Sequence, residues 1–314
     1  MSVSTETLIA QAKEGADLTN VADYVTNAQW LSWLNDGVRE LHRFVTNKFK
    51  ATYFRTFDFT LTAGQYQVAL PANFWRLRGL TLSPDNNNRR RVRPYNFAER
   101  DSIRHLSTGG EWWPYGYTAD RWYNVVGSSL LQLQPRENVS GDYRVYYTPK
   151  PKLLALVRTL VISDGVDHVN PTGGPNGGPL WSFEDFGLAY PSQENIGDIL
   201  TISAAGEGTN NGARSIVTAV SATSAETDGV AETETFTGIT ATLTTVLDGE
   251  LEPYSEYVWL TAAIKSLAKE ESYAQARELK EQRNLIRQDL LEAVETDQGG
   301  PQTIIDVDDQ EPGW

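Results

Sequence analysis

The chain has 314 residues, with 27 Lys and Arg against 41 Asp and Glu, a net charge of −14. Length of this order suits about two domains, and 40% hydrophobic with 11% aromatic residues argues against a disordered chain. The absence of cysteine excludes disulfides, thiol nucleophiles and Cys-based metal sites, and so acidic a body repels nucleic-acid phosphate unless its positive charge is segregated.

The first fifty residues read as helical. A short helix is expected over residues 5–14, stopping at Gly15. Beyond it Trp30, Leu34, Val38, Leu41, Val45 and Phe49 recur every three or four residues, which places them on one helical face. That stripe is core packing, and Thr26 or Asn27 can supply the N-cap oxygen.

From residue 53 the period changes to two. Tyr53 to Thr62 alternates apolar and polar residues, then Ala63-Gly64 leads into Tyr66–Leu70, the pattern of a β-hairpin. Further strands are expected at Trp75–Leu82, Leu130–Gln134 and Tyr143–Thr148, with a short helix around Phe97–Leu106. Together they predict a compact antiparallel sheet.

Residues 151–250 differ in material. They hold 13 of the chain's 25 glycines, with 3 basic and 13 acidic residues. Short β-prone runs at Leu156–Ile162, Ile199–Ser203, Ser215–Val220 and Thr235–Val246 are separated by Gly, Asn and Ser turns. The spacing suggests an inserted β-sandwich or barrel, with Asn170–Pro179 as an exposed loop.

At Pro253, suited to a first helical turn, the helical period returns and runs to about Val294. Past Gly299-Gly300-Pro301 lies a tail with one apolar patch, Thr303-Ile-Ile-Asp-Val307, ending at Trp314. Such a segment can add to a sheet edge or lie in a partner's groove, or remain a free tail. The fold class expected is therefore α+β. A helical body with a long C-terminal helix and a small antiparallel sheet spans 1–153 and 248–296, an inserted all-β domain spans 154–247, and an extended arm spans 297–314.

One basic cluster stands out, Arg89, Arg90, Arg91 and Arg93, with Arg76, Arg78, Arg100 and Arg104 nearby and an aromatic stretch containing Trp112 and Trp113 after it. It reads as a strip for phosphate or an acidic partner, or as a solvated hairpin arm. Arginine beside aromatics could also stack on single-stranded bases or form a protein–protein hot spot. The acidity of the rest favours protein.

Three histidines (His42, His105, His168) are too scattered for a metal cage. Asp164, Asp167 and His168 lack the EF-hand spacing for Ca²⁺, so an acidic turn is the better reading. Gly206–Gly212 lacks the Gly-Lys-Ser/Thr ending of a phosphate loop. Neither a Gly-x-Ser-x-Gly elbow nor a His-Glu-x-x-His pair is present. No catalytic residue, metal or cofactor is expected. No apolar run approaches the ~20 residues of a membrane span, and Met1–Glu6 lacks a signal-peptide layout, so cytosol-like conditions are expected.

Three stretches resemble the head-to-tail connector (adaptor) proteins of tailed bacteriophages. The first is Trp33-Leu-Asn-Asp-Gly-Val-Arg-Glu-Leu41. The second is Tyr66-Gln-Val-Ala-Leu-Pro-Ala-Asn-Phe-Trp75, followed by Leu80 and Leu82. The third joins Tyr143-Arg-Val-Tyr-Tyr-Thr-Pro-Lys-Pro-Lys-Leu153 to Asp248-Gly-Glu-Leu-Glu-Pro-Tyr-Ser-Glu-Tyr257 and the helix after it. Residues 154–247 interrupt the pattern of simpler members and look like small β modules of phage neck and tail proteins.

The resemblance implies a non-enzymatic virion protein of the neck. It implies a homo-oligomeric ring beneath the portal protein, usually a dodecamer, that meets tail or nozzle proteins and lets DNA pass without specific binding. It implies a portal-binding arm, for which Thr303, Ile304, Ile305, Val307 and Trp314 are candidates. Arg89, Arg90, Arg91, Arg93, Trp112 and Trp113 are then candidates for a subunit or partner interface. A different class of reading is a carbohydrate-binding or carbohydrate-cleaving tail component, with the Trp112–Tyr123 aromatics stacking on sugar.

Overall fold

The structure is a computed structural model that describes residues 3–18, 24–48, 53–82, 90–95, 121–127, 129–134, 139–160, 169–170, 172–182, 197–203, 210–219, 224–231 and 240–297. Its elements are mixed α and β, with four α-helices and three sheets among the described residues. The chain divides into two units, residues 1–7 with 51–252 and residues 8–50 with 253–314.

The second unit is helical. Helix α1 spans Thr5–Gly15 and α2 spans Asn27–Lys48. Thr26 is the cap of α2: its Oγ1 accepts the Gln29 N–H at 3.3 Å, and Gln29 Oε1 accepts the Thr26 N–H at 3.2 Å. This reciprocal pair satisfies two otherwise orphaned donors. The expected stripe of Trp30, Leu34, Val38, Leu41 and Val45 is buried; Phe49 lies outside the described residues. Gly37 lets α2 approach α3 (Ser255–Lys269) closely, since a Cβ there would stand 3.0 Å from the Val258 carbonyl. Gly15 does not act as the cap it resembles. A Cβ on it would strike the Trp259 ring at 2.6 Å, so its role is close packing.

The single long C-terminal helix expected from the sequence is instead two helices. A turn follows α3, Pro253 lies in a short 3-10 turn before it, and α4 runs over Tyr273–Asp297. Helix α4 returns against its neighbours, with the Arg283 guanidinium 5.3 Å from the Tyr257 ring and Arg287 5.2 Å from that of Phe44. The stop is a 6→1 and 5→2 closure: Ser272 N–H donates to the Leu267 carbonyl, and Glu271 N–H to that of Ala268. Glu271 there adopts φ +61°, which glycine would take without strain. Replacing Glu271 by Gly should therefore raise stability by about 0.5–1 kcal/mol. A left-handed cost of ~1–2 kcal/mol is relieved, less the added freedom of the unfolded chain. Urea unfolding measures it, and an unchanged midpoint would refute the strain.

In the first unit, two four-stranded sheets replace the one expected. Strands β1 (Arg55–Leu61), β2 (Gln67–Ala69), β3 (Phe74–Leu82), β4 (Arg90–Arg91), β5 (Arg93–Pro94), β6 (Trp122–Val126), β7 (Leu130–Gln134) and β8 (Gly141–Pro149) form them. One sheet has the order β1-β8-β3-β4 and the other β2-β7-β6-β5, antiparallel except for the β5–β6 pair. The expected hairpin over 53–70 does not form. β1 pairs with β8, and β2 with β7, so the turn at Ala63-Gly64 carries the chain between sheets. The two sheets share a core of Leu61, Leu70, Phe74, Leu80, Val92, Leu131, Leu133, Val139, Tyr143, Val145 and Tyr147. The helix expected around Phe97–Leu106 lies outside the described residues.

The same unit holds β9 (Arg158–Leu160), β10 (Val169–Asn170), β11 (Leu180–Ser182), β12 (Ile199–Ser203), β13 (Gly212–Ala219), β14 (Ser224–Thr227) and β15 (Thr240–Thr244). They form a single sheet of seven strands, β10-β11-β14-β13-β12-β15-β9, with Trp181, Leu200, Ile202, Ile216 and Leu243 in its core. Two buried carboxylates organise it. Glu226 accepts the N–H groups of Asn176 and Gly178 at 3.1 and 2.8 Å and the Asn176 amide at 2.8 Å, pinning the loop after β10. Asp198 accepts the Val246 N–H at 3.0 Å and pairs with Lys152 at 2.6 Å. The chain start joins here too, because Thr5 N–H donates to the Thr245 carbonyl and Leu247 N–H to that of Val3.

Candidate functional site: an arginine-faced sheet

The basic run is a strand that changes sheets. Its central residue, Val92, is buried, and its N–H donates to the Leu80 carbonyl at 2.9 Å. Period-two alternation then turns Arg91 and Arg93 outward, and both are exposed. Arg91 pairs with Thr81 in the first sheet, whereas Arg93 pairs with Trp122 in the second. The described part of the expected cluster, Arg90, Arg91 and Arg93, is thus divided between two sheets. Arg90 pairs through its backbone with Leu82.

Register shows what shares the outer face with Arg91. Tyr143, Val145 and Tyr147 face the core, so Arg144, Tyr146 and Thr148 face outward. The pairing Asp58–Arg144–Thr81–Arg91 then runs as one row across the sheet. Arg76 pairs opposite Thr148, and Arg78 Nε donates to the Thr148 hydroxyl at 2.6 Å. Irregular register at Phe74/Arg76 and Leu77/Gly79 accommodates the extra residues. Four arginines therefore lie on a face with two acids: Asp58, which takes both Arg144 Nε and Nη2 at 2.6 Å, and Asp142, which accepts the Thr60 hydroxyl at 2.6 Å.

Electrostatics agrees with the geometry. Burial, then the neighbouring Arg76 charge, holds the Arg78 guanidinium below its ordinary range. Arg144, by contrast, is driven up by its hydrogen bonds to Asp58. Beside them Trp75 is 44% exposed with the Arg76 guanidinium 5.7 Å from its ring. An exposed Trp with crowded arginines is the composition of a protein-binding anchor. Trp75 and Arg144 were not singled out by sequence. Their signal is the outward phase of strands whose partners only the fold supplies.

The remaining candidates fall elsewhere. Arg89, Trp112, Trp113, Thr303, Ile304, Ile305, Val307 and Trp314 lie outside the described residues, as do Asp164, Asp167 and His168. Among the described residues no group of three His, Cys, Asp or Glu could hold a metal ion. None of the described helices is long and apolar enough to cross a membrane.

Both sheets and the arginine face fall inside the range over which a known family matches. The family model described as SU10 adaptor protein matches residues 6–169, more than half of the 314 residues. No curated protein matches the chain. The chain belongs to the SU10 adaptor protein family, a family of phage head-to-tail adaptors. The match takes in the first two stretches that carry the resemblance and Tyr143–Leu153, while Asp248–Tyr257 lies beyond it. The role that follows is structural, that of a phage adaptor.

Proposed function

We propose that this chain is the head-to-tail adaptor of a tailed phage, a virion neck protein that forms a ring beneath the portal and joins capsid to tail. The observation that carries the reading is the family match over 6–169, which spans α1, α2, both four-stranded sheets and their arginine face. The ring is a dodecamer, its lumen passes DNA without specific binding, and a net charge of −14 suits a channel to which DNA must not adhere. The chain performs no catalytic step. In this reading the helices and four-stranded sheets are the ring body. Residues 154–247 are an inserted all-β domain turned toward tail or nozzle proteins, and residues 297–314 are the arm that reaches the portal.

Electron microscopy of the purified chain mixed with the portal protein of the same genome tests this. The expected result is a ring stacked coaxially on the portal, whose symmetry gives the copy number. Two separate populations would overturn it. Deleting residues 297–314 should leave a folded chain that no longer joins the portal, and normal joining by the truncated chain would remove the arm from the scheme.

A further inference from the structure

Helix α3 ends at Lys269 and α4 begins at Tyr273, so Glu270, Glu271 and Ser272 alone make the reversal between them. None of the three is a helix breaker, and Glu271 carries the left-handed strain of φ +61°. The helical phase also runs through the break. Leu290, Ile286, Arg283, Leu279 and Ala276, the buried and half-buried residues of α4, repeat every three or four residues. The same spacing continues through Ser272, Ala268 and Lys265 to Thr261 and Val258 on the buried side of α3. A short strained hinge between two elements is the arrangement that invites their exchange between copies.

Helix α4 is thinly held. Among its described side chains only Ala276 and Leu290 are buried, against eight on α3, while Tyr273 and Leu285 are well exposed. Beside the hinge the two helices stand apart, leaving a crevice of about 470 Å³ lined by Ile264, Tyr273, Ala276 and Lys280. Release of α4 therefore uncovers little apolar area. It does leave Tyr257 without the Arg283 guanidinium over its ring, and Thr261 without the Arg283 Nη1 donor at 3.3 Å. The occupant whose groups match that vacated place is another α4. We propose that the 270–272 turn opens into one continuous helix, Ser255–Asp297, and that two copies exchange α4, each laying it on the α3 of the other. The contacts are then the same in both states, so at a given chain concentration the hinge decides between them. In the exchanged state Glu271 leaves the left-handed region and the three hinge residues gain helical hydrogen bonds. Because α4 runs back along α3, the exchange is reciprocal and closes on itself as a two-fold pair. The pair is a state of the free chain, separate from any ring.

Spin labels test it in the full chain without portal protein, so the outcome is separate from that of the ring experiment. The chain has no cysteine, so Glu256→Cys on α3 and Gln282→Cys on α4, both at exposed positions, each give one label. A chain carrying both, refolded from urea with excess unlabelled parent, should show two separations by pulsed electron paramagnetic resonance. One is the short separation of the hairpin, and the other is ~39 Å, the length of continuous helix from residue 256 to 282. The long one should grow with chain concentration, together with a two-copy species in sedimentation. Refolding the two singly labelled chains together should bring labels of different copies to the short separation, as exchange of α4 requires. Glu271→Gly relieves the hairpin and weakens the continuous helix in both copies, so it should raise the dissociation constant of the pair roughly a hundredfold or more. Glu271→Ala keeps the left-handed strain and a strong helix former, so it should pair like the parent. The short separation alone in the doubly labelled chain, at every concentration, would overturn the exchange. So would a long separation, or a close pair between copies, that Glu271→Gly leaves at the parental level.

Discussion

Replacing Lys152 by Ala should destabilise the first unit by about 3–5 kcal/mol, the range for breaking a buried ion pair by removing one partner. Lys152 is 8% exposed and Asp198 1%, with Nζ and Oδ1 2.6 Å apart. The same Asp198 oxygen accepts the Val246 N–H, and its own carbonyl accepts the Ile216 N–H at 2.9 Å. The carboxylate cannot turn toward solvent without releasing those bonds. It is therefore left as a buried charge without its ammonium partner, and the ionic part of its desolvation is then uncompensated. A double replacement, Lys152→Met with Asp198→Asn, removes both charges yet keeps an acceptor for Val246. It should lose less than half as much, and the double-mutant cycle isolates the pair. Urea unfolding gives the numbers. A Lys152→Ala loss below 1 kcal/mol, or one that shrinks strongly with salt, would mean the pair is solvated.

That pair illustrates where sequence reading reached and where it stopped. The stripe of α2 was legible because helical packing is local: Trp30 to Val45 repeat at the helical period and are buried. Strand limits were legible for the same reason, and β7 falls on Leu130–Gln134 as expected. Strand partners were not. A period of two says which side chains face inward, but it does not say that Arg55–Leu61 will pair with Gly141–Tyr147 in preference to Tyr66–Leu70. The break between α3 and α4 carries no Gly or Pro, only Glu270-Glu-Ser272. There a left-handed Glu271 is tolerated while α4 packs back on α2 and α3. In 151–250 the sequence shows only an excess of acids and nothing that tells a buried one from a solvated one, yet Asp198 and Glu226 are buried structural acceptors. The arginine face was half legible, since Arg91 lay in a visible cluster. Arg76, Arg78 and Arg144 join it only through the register of β3 and β8.

Trp181→Ala should cost about 3–5 kcal/mol, the range for removing a large aromatic from a core. Trp181 is wholly buried in the seven-stranded sheet and stands on β11, a strand of three residues. So short a strand offers few backbone bonds, and side-chain packing must hold it. Its indole N–H donates to Thr227 Oγ1 at 2.9 Å, and Arg214 covers the ring at 5.3 Å. Trp181→Phe keeps most of the apolar contact and loses one hydrogen bond, which is worth about 1 kcal/mol plus the cost of a small void. It should therefore retain the sheet. Hydrogen exchange resolved by peptide locates the damage. Trp181→Ala should speed exchange in β11, β13 and β14 more than in β1 and β8, and equal acceleration throughout would show that the whole unit opens together. Thr227 immediately precedes Asp228, and Arg214 binds the carbonyls of Asp228 and Val230, so the same indole and guanidinium hold the turn after β14 in shape. Exchange at Asp228–Val230 should therefore rise together with that of β14 in Trp181→Ala and stay near the parental rate in Trp181→Phe, and a turn that stays protected in Trp181→Ala would show that Arg214 holds it without the indole.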